Sequence, residues 1–115
     1  MKKKNRVCKN HEFSQIISRR RFAKSQGFVL YYRPSKESEA RVGISVGKKL
    51  GNAVVRNRVK RQVREMTDRC WSFKEGYDTV LIVRPGFLEH SFSENLSDLE
   101  KTKMQAEKRM RKETR

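Results

Sequence analysis

The sequence predicts a single α+β domain, and three observations carry the prediction. The chain has 115 residues, enough for one core that removes about two-thirds of the unfolded surface from water. Apolar residues recur at spacings of three and four in three segments, which begin near Asn10, Asn52 and Ser91. Between them, Phe28–Tyr32, Val42–Val46 and Asp78–Arg84 carry β-branched and aromatic residues, either alternating or in short apolar runs. No internal repeat is present, so residues 1–115 read as one unit, with a basic arm over 1–9 and a basic helical tail over about 101–115.

The first helix takes Asn10 as its N-cap and places Phe13, Ile16 and Ile17 on one face. It ends near Arg19, and the basic block Arg19–Lys24 that follows has no clear period. Phe28–Tyr32 is the first clear strand. Pro34 removes a backbone donor and drives Arg33 toward extended geometry, and the polar run Ser35–Ala40 is the connecting loop. In the next strand Val42, Ile44 and Val46 point to the core, alternating with Arg41, Gly43, Ser45 and Gly47.

Asn52 caps a helix from about Ala53 to Arg69. At about 100° per residue, Val55, Val59, Val63, Met66 and Cys70 fall within an arc of roughly 80°, which marks the buried stripe. Gly76 breaks the chain before the strand Asp78–Arg84, apolar enough to be buried on both sides, and Pro85 and Gly86 end it. Ser91 and Glu94 form a capping box for the last helix, where Phe92, Leu96 and Leu99 share a face. Beyond Lys101 that face thins to Met104, Ala106 and Met110, so the helix is expected to project or fray.

Composition narrows the partner. Twenty-nine Lys and Arg against 13 Asp and Glu give a formal charge of +16, a self-repulsion that a polyanion would relieve. Nucleic acid is the expected partner, although charge alone does not separate RNA from DNA or from an anionic membrane surface. The apolar run around Thr79–Val83 is far shorter than the ~20 residues of a membrane helix. Asn5, Arg6, Lys9 and Asn10 stand where a signal peptide would need its apolar segment, so a cytoplasmic protein with no membrane partner is expected. Cys8 and Cys70 have no CxxC neighbour and no His at ligand spacing, which fits reduced thiols rather than a disulfide or a metal site.

The segment Lys48–Arg64, KKLGNAVVRNRVKRQVR, holds seven Lys and Arg and no acid. Arg56, Lys60 and Arg64 form a row at four-residue spacing, and Asn57 and Arg61 extend it away from the buried stripe. A charge run on a helix is often only a solvated face. Here favourable Glu partners at four-residue spacing are missing, and the run opens at a helix N-terminus, where free backbone donors favour anions. Phosphate is the natural ligand. The longer stretch RVGISVGKKLGNAVVRNRVKRQVRE resembles the central motif of the bacterial ribonuclease P protein family, and Arg56-Asn57-Arg58 matches its hallmark. KNRVCKNHEFSQII near the N-terminus, FVLYY in the first clear strand and the later strand ending at Arg84 extend the resemblance over roughly residues 4–88.

The resemblance implies a two-layer α/β sandwich. It would have about four mainly antiparallel strands, N-terminal, central and C-terminal helices, and a left-handed crossover through the central Arg-Asn-Arg helix. General chirality favours the other hand, since about 98% of such crossovers are right-handed. The function implied is that of an RNA-binding subunit that helps a catalytic RNA remove the 5′ leader from precursor tRNA. It would bind the leader and lower the requirement for Mg²⁺, the ions themselves being held mainly by the RNA. No obligate protein partner is implied. Arg56, Asn57, Arg58, Arg61 and Arg64 would contact the catalytic RNA, with Lys48, Lys49 and Lys60 close to the substrate side. Phe13, Ile17, Val29 and Tyr31 would line the path of the single-stranded leader, where bases lie on aromatic rings and lysines follow phosphates. Ile17 stands where the family often has an aromatic, which removes one stacking surface. Without the resemblance, Phe13, Ile17 and Val29 read as ordinary core residues. Arg6 and the lysines around it are expected to form a mobile arm that seeks RNA.

Two other classes stay open. A structural protein that packs ribosomal RNA would also be short and basic, and the GN-(x)3-RNR core argues against it. A DNA-binding module would need the helix-turn-helix spacing or zinc ligands that the sequence lacks. No catalytic set is visible. His11 and His90 are isolated, and Glu65 and Asp68 lie between Arg64 and Arg69, so neither a paired acid and base nor a metal-holding carboxylate cluster is formed.

Overall fold

The computed structural model describes residues 1–113. Strands β1 Phe22–Lys24, β2 Phe28–Pro34, β3 Val42–Val46 and β4 Tyr77–Val83 form one sheet in the order β1-β2-β4-β3. The helices are α1 Asn10–Ser18, α2 Ala53–Cys70 and α3 Phe92–Glu113. β2 pairs antiparallel with both β1 and β4, while β3 and β4 are parallel and are joined through α2. Alternation divides each strand between two faces. Phe28, Leu30, Tyr32, Val42, Val46, Leu81 and Val83 meet Val59, Val63 and Met66 of α2 and Leu99 and Ala106 of α3 in the main core. On the opposite face Val80 packs with Ile16 of α1 and with Val7.

One hydrogen bond fixes the hand of the crossover. Thr79 shares its strand face with Leu81 and Val83, toward α2, and its N–H donates to Arg41 O at 2.9 Å, at the entrance to β3. Seen from α2 with β4 running upward, an L-residue whose side chain faces the viewer directs its N–H to the right, so β3 lies to the right of β4. The chain passes from β3 on the right, through α2 in front, to β4 on the left. That path is left-handed, against the general preference.

Helix signals that depend on adjacent residues are realised as the sequence predicts. Asn52 Oδ1 accepts the Val55 N–H at 3.1 Å, and Ser91 and Glu94 exchange the two bonds of a capping box at 2.9 and 3.2 Å. Other expectations are corrected. Asn10 is the first helical residue rather than the cap, because Lys9 is the last extended one and α1 starts without a side-chain cap. The block Arg19–Lys24 contains edge strand β1, whose three residues are too few to show a period. The segment over 1–9 is docked rather than free. Val7 donates its N–H to Val42 O at 3.2 Å, Asn5 Nδ2 donates to Ala40 O at 3.2 Å, and the Met1 ammonium meets Asp68 at 2.8 Å. The open edge of β3 recruits this backbone, and a count of lysines is blind to that.

α3 does not project either. Thr102 and Ala106 are buried, and polar tips hold the distal turns against the sheet. Tyr77 Oη donates to Glu107 at 2.7 Å and Tyr32 Oη to Glu113 at 2.9 Å. Lys103 lies 3.2 Å from both Glu75 and Glu107, with its ammonium 5.1 Å from the centre of the Trp71 ring. An apolar period cannot register such contacts. Positions 114–115 of the expected tail lie outside the described residues.

Candidate nucleic-acid interface

α2 buries Val59, Val63, Met66 and Thr67, so helical geometry turns its basic residues outward. Asn57, Arg58, Arg61 and Arg64 are exposed, and Arg56 and Lys60 are half-buried at the margin of the stripe. With Val59 as reference, Arg56 and Lys60 lie about 60° and 100° to one side and Arg58 about 100° to the other. Arg56 and Arg58 therefore flank a crest formed by Asn57, Arg61 and Arg64. The flank of Arg58 faces α3, since Arg69 on the same side stands 5.1 Å over the Phe92 ring. Just before α2, a short 3-10 turn buries Leu50 and leaves Lys48 and Lys49 exposed. Gly51 has φ +129°, a conformation that side chains disfavour, so the Gly-Asn pair is dictated by the turn and the cap. Among the described residues, Lys48, Lys49, Arg56, Arg58, Lys60, Arg61 and Arg64 make no ion pair with any carboxylate. Their field is directed at solvent.

The second surface lies on the other face of the sheet, which α1 covers only in part. Phe13, Ile17, Tyr31 and Ile82 are half-buried around Val7, Ile16 and Val80, and Val29 shares this strand face with Tyr31. The four residues expected to line a leader path are thus brought together. The Phe13 ring rests on β3 at Gly43, where a Cβ would come within 2.6 Å of its Cζ, so Gly43 is required for that approach. A buried charge cluster ties α1 to the sheet: Arg41 Nη2 donates to Glu12 at 2.5 Å and lies 3.4 Å from Asp78, and Arg33 lies 3.7 and 3.6 Å from the same two carboxylates. The Arg41 guanidinium holds the Glu12 carboxyl below the usual carboxylate range.

Sequence reasoning missed two residues of this face. Antiparallel pairing sets Phe22 opposite Tyr31 and Lys24 opposite Val29, which extends the face to β1. The alternation in Phe22-Ala23-Lys24, with only Ala23 buried, is the signal that could have found them. His90 Nδ1 sits 2.9 Å from Gly86 O and His11 is exposed on α1, so the two imidazoles do not meet. Among the described residues no group of three or more His, Cys, Asp or Glu gathers to hold a metal, and no helix is long and apolar enough to cross a membrane.

A family model described as Ribonuclease P matches residues 1–107. The chain belongs to the ribonuclease P protein family. It is 46% identical over 103 residues to the ribonuclease P protein component of Mesoplasma florum, spanning 88% of this chain and 94% of that protein. Its structure matches the RNase P protein of Staphylococcus aureus with a TM-score of 0.81 at 33% identity, covering 89% of this chain and 94% of that one. A Staphylococcus aureus RNase P protein mutant with defective mRNA degradation activity matches with the same TM-score, 0.81, at 33% identity over 91% of this chain and 90% of that one. The chain is accordingly a protein subunit of ribonuclease P, the ribonucleoprotein endonuclease of tRNA 5′ processing, and works with the ribonuclease P RNA and a tRNA substrate. The comparisons do not favour a protein that packs ribosomal RNA.

Proposed function

We propose that the two surfaces divide the work of the subunit. The crest and flanks of α2, with Arg56, Asn57, Arg58, Arg61 and Arg64, bind the catalytic RNA. The cleft of Phe13, Ile17, Val29 and Tyr31, approached past Lys48, Lys49 and Lys60, holds the single-stranded 5′ leader of the precursor. The observation that carries this reading is the run of seven basic residues between Lys48 and Arg64, which contains no acid and among the described residues makes no ion pair. Cations left without internal partners favour phosphate by releasing its counterions. The same charge lowers repulsion between the two RNAs, which is how the subunit would reduce the Mg²⁺ concentration needed for cleavage. The protein's own carboxylates do not gather into a metal site among the described residues, so we assign the Mg²⁺ and the phosphodiester chemistry to the RNA.

The test is reconstituted leader removal with RNA alone, protein alone and both, across a Mg²⁺ titration. Expected are activity of the RNA at high Mg²⁺, rescue by the protein at low Mg²⁺, and little change from His11→Ala, His90→Ala or Glu65→Gln. The protein-alone arm also receives a messenger-like RNA, because of the activity named for the Staphylococcus aureus mutant. Cleavage by the purified subunit, abolished by one of the three substitutions, would overturn the assignment of chemistry to RNA.

A further inference from the structure

The sheet face under α1 does not stop at the cleft. It continues across β2 to β1, where Phe22 and Lys24 stand beside Tyr31 and Val29. Phe22 is 36% exposed, and its ring centroid lies 5.4 Å from that of Tyr31 with the planes 45° apart. A base cannot enter between these rings, because at that separation they are in direct contact with each other. They form instead one continuous aromatic floor that bases can only cover from outside. Lys24, opposite Val29 on the same face, is exposed and among the described residues makes no ion pair, whereas Arg21 reaches Glu113 at 3.7 Å and Arg33 reaches Glu12 and Asp78. An aromatic surface open to solvent beside an unpaired cation is the chemistry that holds single-stranded RNA.

We infer that Phe22, Tyr31 and Lys24 form a further subsite for single-stranded RNA, which takes a leader nucleotide beyond those held in the α1 cleft. The inference rests on the leader reading of that cleft. Sheet order gives the direction of the path, from Lys48–Lys49 after β3, over Ile82 on β4 and Tyr31 on β2, to the edge at β1. Phe22 therefore meets the nucleotide farthest from the cleavage point. Stacking tolerates any base, so the subsite reads the length of the leader and not its sequence. Ile17 offers no ring on the α1 side of Tyr31, and Phe22 supplies one on the other.

The experiment measures the affinity of the assembled ribonucleoprotein for precursor tRNAs whose leaders lengthen one nucleotide at a time, with mature tRNA as reference. Phe22→Leu keeps an apolar side chain in place and removes the ring, and Phe22→Trp restores a ring. Short leaders should bind the Phe22→Leu complex as tightly as the unaltered one. Past one particular length the unaltered complex should gain roughly five-fold or more, a gain that Phe22→Leu loses and Phe22→Trp keeps. Equal affinity of Phe22→Leu and unaltered complexes at every length overturns the subsite, and so does a loss of the same size for all leaders and for mature tRNA. Tyr31→Ala separates this outcome from failure of the cleft. If it weakens precursor and mature tRNA alike, the leader reading falls and the subsite with it. If it weakens the precursor selectively while Phe22→Leu changes nothing, only the subsite is lost.

Discussion

α2 and α3 lie side by side on one face of the sheet, each with six Lys and Arg, yet their charges have opposite fates. α2 carries Arg56, Arg58, Lys60, Arg61, Arg64 and Arg69 with two acids, Glu65 and Asp68, and among the described residues Arg69 is the only one of these six cations in an ion pair, with Glu65 at 2.8 Å. α3 carries Lys101, Lys103, Lys108, Arg109, Arg111 and Lys112 with five acids, and the fold engages Lys103 and Arg109 together with four of the acids, Glu94, Asp98, Glu107 and Glu113. Lys103 bridges Glu75 and Glu107, Arg109 donates to Phe22 O, Asp98 accepts from Ser25 Oγ at 2.7 Å, and Glu107 and Glu113 accept from two tyrosines. Charge density therefore does not distinguish the helix we propose to bind RNA from its neighbour. Internal partners do.

The comparison fails first if either inner face is misassigned. Val59→Asp on α2 and Leu99→Asp on α3 each place an unpaired charge in a fully buried position and should cost several kcal/mol, enough to unfold a small domain. Circular dichroism and thermal melting measure this, and an undisturbed melt for either would reverse that helix.

Binding is the next largest difference. Arg58→Ala with Arg61→Ala should weaken association with the catalytic RNA while leaving the melt unchanged. If about six phosphate contacts form, a four-fold rise in monovalent salt should lower affinity by roughly 10² to 10³. Lys103→Met and Tyr77→Phe on the other side of the comparison should do the reverse, lowering the melting temperature through losses of about 1–2 kcal/mol each with RNA affinity little changed. A salt-insensitive complex, or an α3 pair that weakens binding as much as the α2 pair, would erase the distinction.

Extremes of pH should loosen different parts of the molecule. The carboxyl of Glu12 is lowered in the folded state, mainly by its hydrogen bond from Arg41, so its contribution is present at neutral pH. It is lost as pH falls through that lowered value, and α1 should come away first in acid. Tyr32 is shifted the other way, from 10.0 up to about 12, by burial and by its hydrogen bond to Glu113, and Tyr77 is raised by burial and Glu107. Their contribution holds below the ordinary phenol range and fades as pH rises toward the folded values, which should free α3 in alkali. Hydrogen exchange at the two pH extremes reports which helix opens. Glu12→Gln should blunt the acid response and Tyr32→Phe the alkaline one. The smallest effect concerns the thiols: burial pushes Cys70 up to about 11, so alkylation near neutral pH should modify the exposed Cys8 first and leave Cys70, the half-buried last residue of α2, largely intact.

What the sequence made legible was local. The α2 stripe, the Asn52 cap and the Ser91–Glu94 box depend on residues within a turn or two, and they stand as read. The docked arm and the docked tail depend on polar atoms whose partners are distant in the chain, Asn5 with Ala40 and Tyr32 with Glu113, and no periodicity encodes them. The cleft residues came from the family motif, and the structure assembles them. Phe22 escaped because its neighbour Tyr31 is set by the β1–β2 register, which a strand of three residues does not announce. The hand of the crossover is the reverse case: local physics favours the wrong answer, and only the resemblance supplied the right one.

The docking of α3 also sets a schedule for synthesis. This helix follows every strand in the chain and covers the sheet face that presents Phe28, Leu30, Tyr32 and Tyr77. A growing chain that has emerged only as far as β4 already has its complete basic helix, while the part of its main core that Leu99 and Ala106 cover lies open to water. Such a nascent subunit is competent for polyanion before its core is closed, and until α3 arrives the open apolar face is the part prone to self-association.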